Sequence, residues 1–121
     1  MHEYILFLYD NPADFANVTP DQMQSIVEEY SAWAQKLASE GKHTGGQKLR
    51  DEGGRIVTSA PDGVTVTDGP YSETKEVIGG FMTIRASSYD EAVEIARTCP
   101  HVRYGAKIEV RQIDAMTECD A

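Results

Sequence analysis

The side chains best suited to act together chemically are concentrated in one stretch, Asp68-Gly69-Pro70-Tyr71-Ser72-Glu73-Thr74-Lys75-Glu76, which runs directly into Val77-Ile78-Gly79-Gly80-Phe81-Met82-Thr83-Ile84. Asp68 ends a β-prone run and precedes a turn dipeptide, which gives it two readings. Its carboxylate can cap the turn backbone, or it can act as a general acid or base, its pKa raised by burial near Glu73 or Glu76. His43, in a polar segment, is the candidate partner for proton transfer. Glu73, Lys75 and Glu76 are either a solvated charge run or ligand contacts, with Lys75 facing Asp68 or an anionic group. Pro70 fixes the loop, and the ring of Tyr71 packs it down or meets the ligand.

The elements that position these residues belong to a single domain of 121 residues, with 40% hydrophobic and 26% charged side chains and a formal net charge of −9. Such a chain folds around one core, and its field repels phosphate backbones and anionic lipid. Nucleic acid and membrane are therefore not expected partners. The first apolar run, Tyr4 to Tyr9, stops at Asp10-Asn11-Pro12 and has no basic flank, so a cytoplasmic location is expected. Cys99 and Cys119 form no CxxC pair, and His2, His43 and His101 lack local ligand spacing, so a metal is not expected.

In chain order, Tyr4 to Tyr9 reads as a strand apolar on both faces. Thr19, Pro20 and Gln22 open a helix with a capping box; Met23, Ile26, Val27, Tyr30, Ala34 and Leu37 give it an apolar stripe, with Trp33 on the border, and Gly41 stops it. A second strand is centred on Gln47 to Arg50. Arg55 to Ser59 and Val64 to Thr67 flank Ala60-Pro61-Asp62-Gly63 as a hairpin. Val77 to Arg85 is a strand whose Gly79-Gly80 pair implies a bulge or a close backbone approach. Ser88 and Glu91 open a second helix that ends at Pro100, Ala106 to Ile113 is the last strand, and residues 114–121 form a frayed tail.

This order gives an α+β domain, a ferredoxin-like βαββαβ with an inserted β-hairpin. Two helices cover only one face of its four-stranded sheet, so a second copy of the sheet is the expected cover, giving a homodimeric α+β barrel. If the helices pack on the Ile108 and Val110 side, Glu109 and Arg111 face the space between the sheets, as an ion pair or as the lining of a polar pocket.

The D-G-P-Y-x-E-x-K-E pattern with Gly79-Gly80-Phe81, followed by Asp90-Glu91-Ala92, Cys99-Pro100, Gly105 and Glu109-Val110-Arg111, resembles the YCII-related, or DGPF-domain, family over nearly the whole chain. Tyr71 stands where the family name has Phe. The resemblance implies a bacterial ferredoxin-like protomer, usually dimeric, with no typical cofactor and no defined reaction; some members accompany sigma factors. Two functions stay open. One is acid–base chemistry on a small polar or anionic molecule, with Asp68 and His43 catalytic and Tyr71, Glu73, Lys75, Glu76, Glu109 and Arg111 binding. The other is non-catalytic binding of a metabolite or a regulatory partner.

Overall fold

The structure is a computed structural model that describes residues 1–10, 18–50, 54–69 and 76–115. In chain order the elements are β1 (His2–Asp10), α1 (Pro20–Ser39), β2 (His43–Lys48), β3 (Arg55–Ala60), β4 (Gly63–Asp68), β5 (Val77–Ala86), α2 (Tyr89–Arg97), α3 (Pro100–Arg103) and β6 (Ile108–Gln112). Strands β2, β5, β1 and β6 form, in that order, one antiparallel sheet. This is the ferredoxin-like arrangement, with β3 and β4 inserted as a separate two-stranded ribbon.

Side-chain alternation divides the sheet into two chemically distinct faces. Tyr4 and Leu6 of β1 stand opposite Ile84 and Met82 of β5. All four are buried together with Trp33 and Leu37 of α1 and Ala92, Ile95 and Ala96 of α2. Ile108 and Val110 pack against the same core, so the helices lie on the side expected for them. The other face carries Ile5, Phe7 and Phe81, with Glu109 opposite Phe7 and Arg111 opposite Ile5.

The helix ends follow their sequence signals closely. The Thr19 hydroxyl accepts from the Gln22 backbone N–H at 3.1 Å, and the Gln22 side chain accepts from the Thr19 N–H at 2.9 Å, closing the capping box. Gly41 takes the left-handed φ of 74° just past the end of α1. Ser88 accepts from the Glu91 N–H in the same way, but the Glu91 carboxylate reaches back to the N–H of Ser87, one residue further out.

Two boundaries depart from expectation. Strand β2 runs from His43 to Lys48, so its middle falls at Gly45-Gly46 and it meets the predicted Gln47–Arg50 centre only at Gln47 and Lys48. Its glycines fit where a side chain would not, since a Cβ on Gly46 would stand 2.7 Å from the Phe81 carbonyl oxygen. Close approach to β5 therefore outweighs poor strand propensity. Pro100, expected only to end α2, also opens the short helix α3 at its first helical position. The expected tail lies largely outside the described residues. Among the described residues, no helix is long and apolar enough to cross a membrane.

Candidate functional site

Strand β1 ends in two consecutive polar side chains, and alternation sends them to opposite faces of the sheet. Tyr9 turns to the open face and Asp10 to the helix face. A bulge in β5 makes room for them. Leu8 pairs with Gly80 but Tyr9 pairs with Ile78, so Gly79 is the extra residue. A Cβ on Gly79 would stand 1.7 Å from Asp10 Oδ2, so the Asp10 carboxylate occupies the volume a side chain there would need.

On the helix face, α3 projects His101 inward until the residue is only 4% exposed. Its Nε2 lies 2.6 Å from the Tyr9 carbonyl oxygen and 3.6 Å from Asp10 Oδ1. Its Nδ1 lies 2.5 Å from the Tyr30 hydroxyl, carried by α1. A backbone carbonyl only accepts, so the Nε2 proton is held against Tyr9 and neutral His101 presents Nδ1 as an acceptor to the Tyr30 O–H. Burial, reinforced by nearby Cys99 and Asp10, pushes the Tyr30 phenol well above its ordinary value. Burial also pushes the adjacent Cys99 thiol up to about 11.

A second cluster surrounds the Tyr9 ring on the open face. The Tyr9 hydroxyl donates to Glu109 Oε1 at 2.7 Å, and this bond, more than burial, raises the Tyr9 phenol. Lys107 Nζ lies 4.3 Å from the ring centroid and 3.2 Å from Glu76 Oε1. Glu76 and Glu109, predicted as ligand contacts, are thus gathered by Tyr9 and Lys107. Arg111 lies on the same face, across from Ile5.

The predicted proton-transfer residues lie elsewhere. Asp68 is at the end of β4 in the separate ribbon, its side chain 65% exposed and 3.7 Å from the Arg55 guanidinium. The Gly69 N–H beside it donates to the Gly54 carbonyl. His43 is half-buried on the edge strand β2, opposite Ile84. Pro70, Tyr71, Glu73 and Lys75 lie outside the described residues. Both readings of the glycine pair hold, each at a different residue: Gly79 forms the bulge, while a Cβ on Gly80 would stand 3.0 Å from the Gln47 carbonyl oxygen of β2. Phe81 faces Phe7 on the open face.

Sequence reasoning passed over Asp10, Tyr30 and His101 because each has an ordinary local explanation: a loop breaker, a member of a helical stripe and a residue after a helix. The available signal was His101 directly behind Cys99-Pro100, where proline at a first helical position marks a helix that carries the next residue.

The sheet order and the helices on one face define a ferredoxin-like α+β protein. The chain belongs to the family described as the YCII-related domain, whose model matches residues 2–117. It is similar to an uncharacterized protein of Rhizobium meliloti (strain 1021), 27% identical over an alignment of 103 residues, with 78% of this chain and 77% of that one covered. Its fold is similar to that of a 5-chloro-2-hydroxyhydroquinone dehydrochlorinase from Burkholderia phenoliruptrix solved with 2,5-dihydroxybenzoquinone. There the TM-score is 0.50 and the identity 16%, over 96% of this chain and 97% of the other. That likeness is one of architecture.

Proposed function

We propose that the protein is a cytoplasmic homodimeric enzyme that moves a proton on a small polar or anionic molecule, and that the Asp10–His101 pair is its acid–base centre. The observation that carries this reading is the buried imidazole, whose Nε2 is 3.6 Å from the Asp10 carboxylate and whose Nδ1 is at hydrogen-bond distance from a phenol. A base oriented by a backbone carbonyl, with a carboxylate nearby and a second proton carrier in contact, suits general acid–base catalysis. The Asp10 side chain is 19% exposed, so the centre reaches the surface. Asp68 and His43, in different sheets, support this role less well. Glu76, Glu109 and Arg111 lie on the opposite, open face of the sheet, and we propose them as the lining of a separate polar ligand site, enclosed when a second copy covers Ile5, Phe7 and Phe81.

A second reading has its own observation. Both nitrogens of His101 are engaged within the protein, and the residue ties β1, α1 and α3 together. It can therefore be a structural knot in a protein that binds a metabolite or a regulatory partner without transforming it. The two readings separate in a panel of small hydroxy and keto acids incubated in deuterated water and followed by NMR. The enzyme reading expects protein-dependent exchange or turnover that Asp10→Asn abolishes. Ligands that raise the melting temperature, remain unchanged and bind Asp10→Asn equally well would leave the binding protein.

A further inference from the structure

We infer that the β3–β4 ribbon is an arm through which two copies of the chain join, their β4 strands pairing antiparallel, edge to edge, with Val66 opposite the partner's Val66. This rests on the homodimer proposed above and adds a second contact to it. A two-stranded hairpin is marginal in water, and three or more strands with an apolar face are needed for stability. Among the described residues, β3 and β4 have no third strand beside them. Their register sets Val57 opposite Val66, with Val64 on the same face, and these valines are 64%, 59% and 70% exposed. The Gly69 N–H donates to the Gly54 carbonyl, which fixes the phase of the ladder. Ile56, Thr58, Thr65 and Thr67 therefore bond within the ribbon, while the backbone groups of Val57, Val64 and Val66 point outward. Proteins block such edges with proline, charge or a bulge. Residues 56–60 and 63–67 contain no proline, no charge and no shift of register.

A second copy fits this edge better than another strand of the same chemistry for three reasons. In a chain of net charge −9, self-association is least opposed along an uncharged stretch. The open sheet face also needs help: four strands about 4.8 Å apart and about 17 Å long give a footprint of roughly 300 Å2. Even doubled for side-chain relief, that falls short of the roughly 800 Å2 per partner of a stable interface. Finally, the edge is self-complementary. Strand β4 presents Val64 and Val66 outward, whereas β3 presents only Val57 between Arg55 and Ser59. Centring the pair on Val66 sets Thr65 opposite the partner's Thr67, a favourable cross-strand pair. A shift by one residue, to Thr65, would bring Asp68 against the partner's Asp62. The favoured register joins the two ribbons into four strands with a continuous valine face.

The test is cross-linking of the full-length chain. Val66→Cys and Val57→Cys are each made with Cys119→Ser, oxidised mildly at micromolar concentration and run on a denaturing, non-reducing gel. In the inferred register the two Cα atoms at position 66 are about 5.5 Å apart, inside the roughly 4.4–6.8 Å that a disulfide spans. Those at position 57 are three strand spacings apart, about 14 Å. Val66→Cys should therefore give mostly covalent dimer and Val57→Cys little. Val66→Pro removes only an outward N–H, so the ribbon's own ladder survives. It should raise the dimer dissociation constant at least about tenfold in sedimentation, through loss of one backbone hydrogen bond from each copy, with the thermal unfolding curve still that of a folded protein. A dimer that neither cross-links through position 66 nor weakens in Val66→Pro overturns the arm and leaves the sheet-face homodimer standing. Equal cross-linking at positions 57 and 66 overturns the register and with it the inference. A wild-type monomer overturns both the arm and the homodimer.

Discussion

The Asp10 carboxylate fills the place of a Gly79 side chain: Oδ2 stands 1.7 Å from where a Cβ on that glycine would be. The bulge in β5 and the acid in the candidate site are thus one feature. In Gly79→Ala the obstacle is the far end of a side chain, which can rotate away. That variant should lose only about 1 kcal/mol but should separate Asp10 from His101. Gly80→Ala meets the β2 backbone at Gln47 instead and should cost about 1–3 kcal/mol by straining the sheet. Urea unfolding gives the two stabilities, and the His101 ring resonances show which variant disturbs the site. Equal disturbance of His101 in both would contradict the distinction.

The buried acids near the site predict a loss of stability in alkali. The Cys99 thiol rises from 9.0 to about 11 on folding, so above pH 9 the unfolded chain ionises first. Stability is fully present below pH 9 and falls until about pH 11. Integrated over that window, the loss is roughly 2–3 kcal/mol. Tyr30, raised mainly by burial from 10.0, extends the decline to higher pH. Chemical denaturation at a series of pH values should show that Cys99→Ala flattens the first part of the curve and Tyr30→Phe the later part. A flat profile from pH 8 to pH 11 would contradict the burial of both groups.

One hydrogen-bond relay holds the core side of α1 to the end of α2. Trp33 Nε1 donates to Thr98 Oγ1 at 2.7 Å, and the same hydroxyl donates to the Ile95 carbonyl oxygen at 2.7 Å. Thr98→Val keeps the shape but leaves the nearly buried indole N–H without its acceptor, at a cost of about 1–3 kcal/mol. Thr98→Ser retains the hydroxyl and should cost less than half as much. Urea midpoints of the two variants provide the comparison; equal losses would show that the methyl group, rather than the hydroxyl, matters at this position.

Much of the fold was legible because local chemistry and global packing agree in particular places. Thr19 with Gln22, Ser88 with Glu91, Gly41 and the Pro61–Gly63 turn each make the local structure their residue types favour. The alternation of Ile108, Glu109, Val110 and Arg111 assigned the faces of β6 before any contact was known. The site was harder to read because it is assembled across the chain. His101 is 71 residues from Tyr30 and 92 from the Tyr9 carbonyl that orients it. No local spacing encodes such a cluster. The charged stretch after Asp68 resembles a site because its groups are adjacent in sequence, but Asp68 itself lies on an exposed ribbon. The centre of β2 lies a few residues earlier than predicted for a related reason: glycines that disfavour a strand in isolation are what allow His43–Lys48 to lie against β5.

The open face of the sheet supports the last prediction. Phe7 and Phe81 stand opposite each other at its centre, beside Ile5 and on the face away from the helices. A homodimer covering this face should give a light-scattering mass of twice 13.3 kDa at micromolar concentration. Two-fold symmetry places each residue of the interface there twice, so Phe81→Lys would bury two uncompensated ammonium groups, each at a cost of several kcal/mol. That variant should run as a folded monomer with a lowered melting temperature, and Tyr9, Glu109 and Lys107, no longer enclosed, should lose whatever anion selectivity the dimer has. Glu109→Gln removes a charge from the same face without touching the phenylalanines and should leave the mass at that of a dimer. A wild-type monomer would remove the barrel and with it the enclosed ligand site, because the cluster around Tyr9 would then be open to solvent.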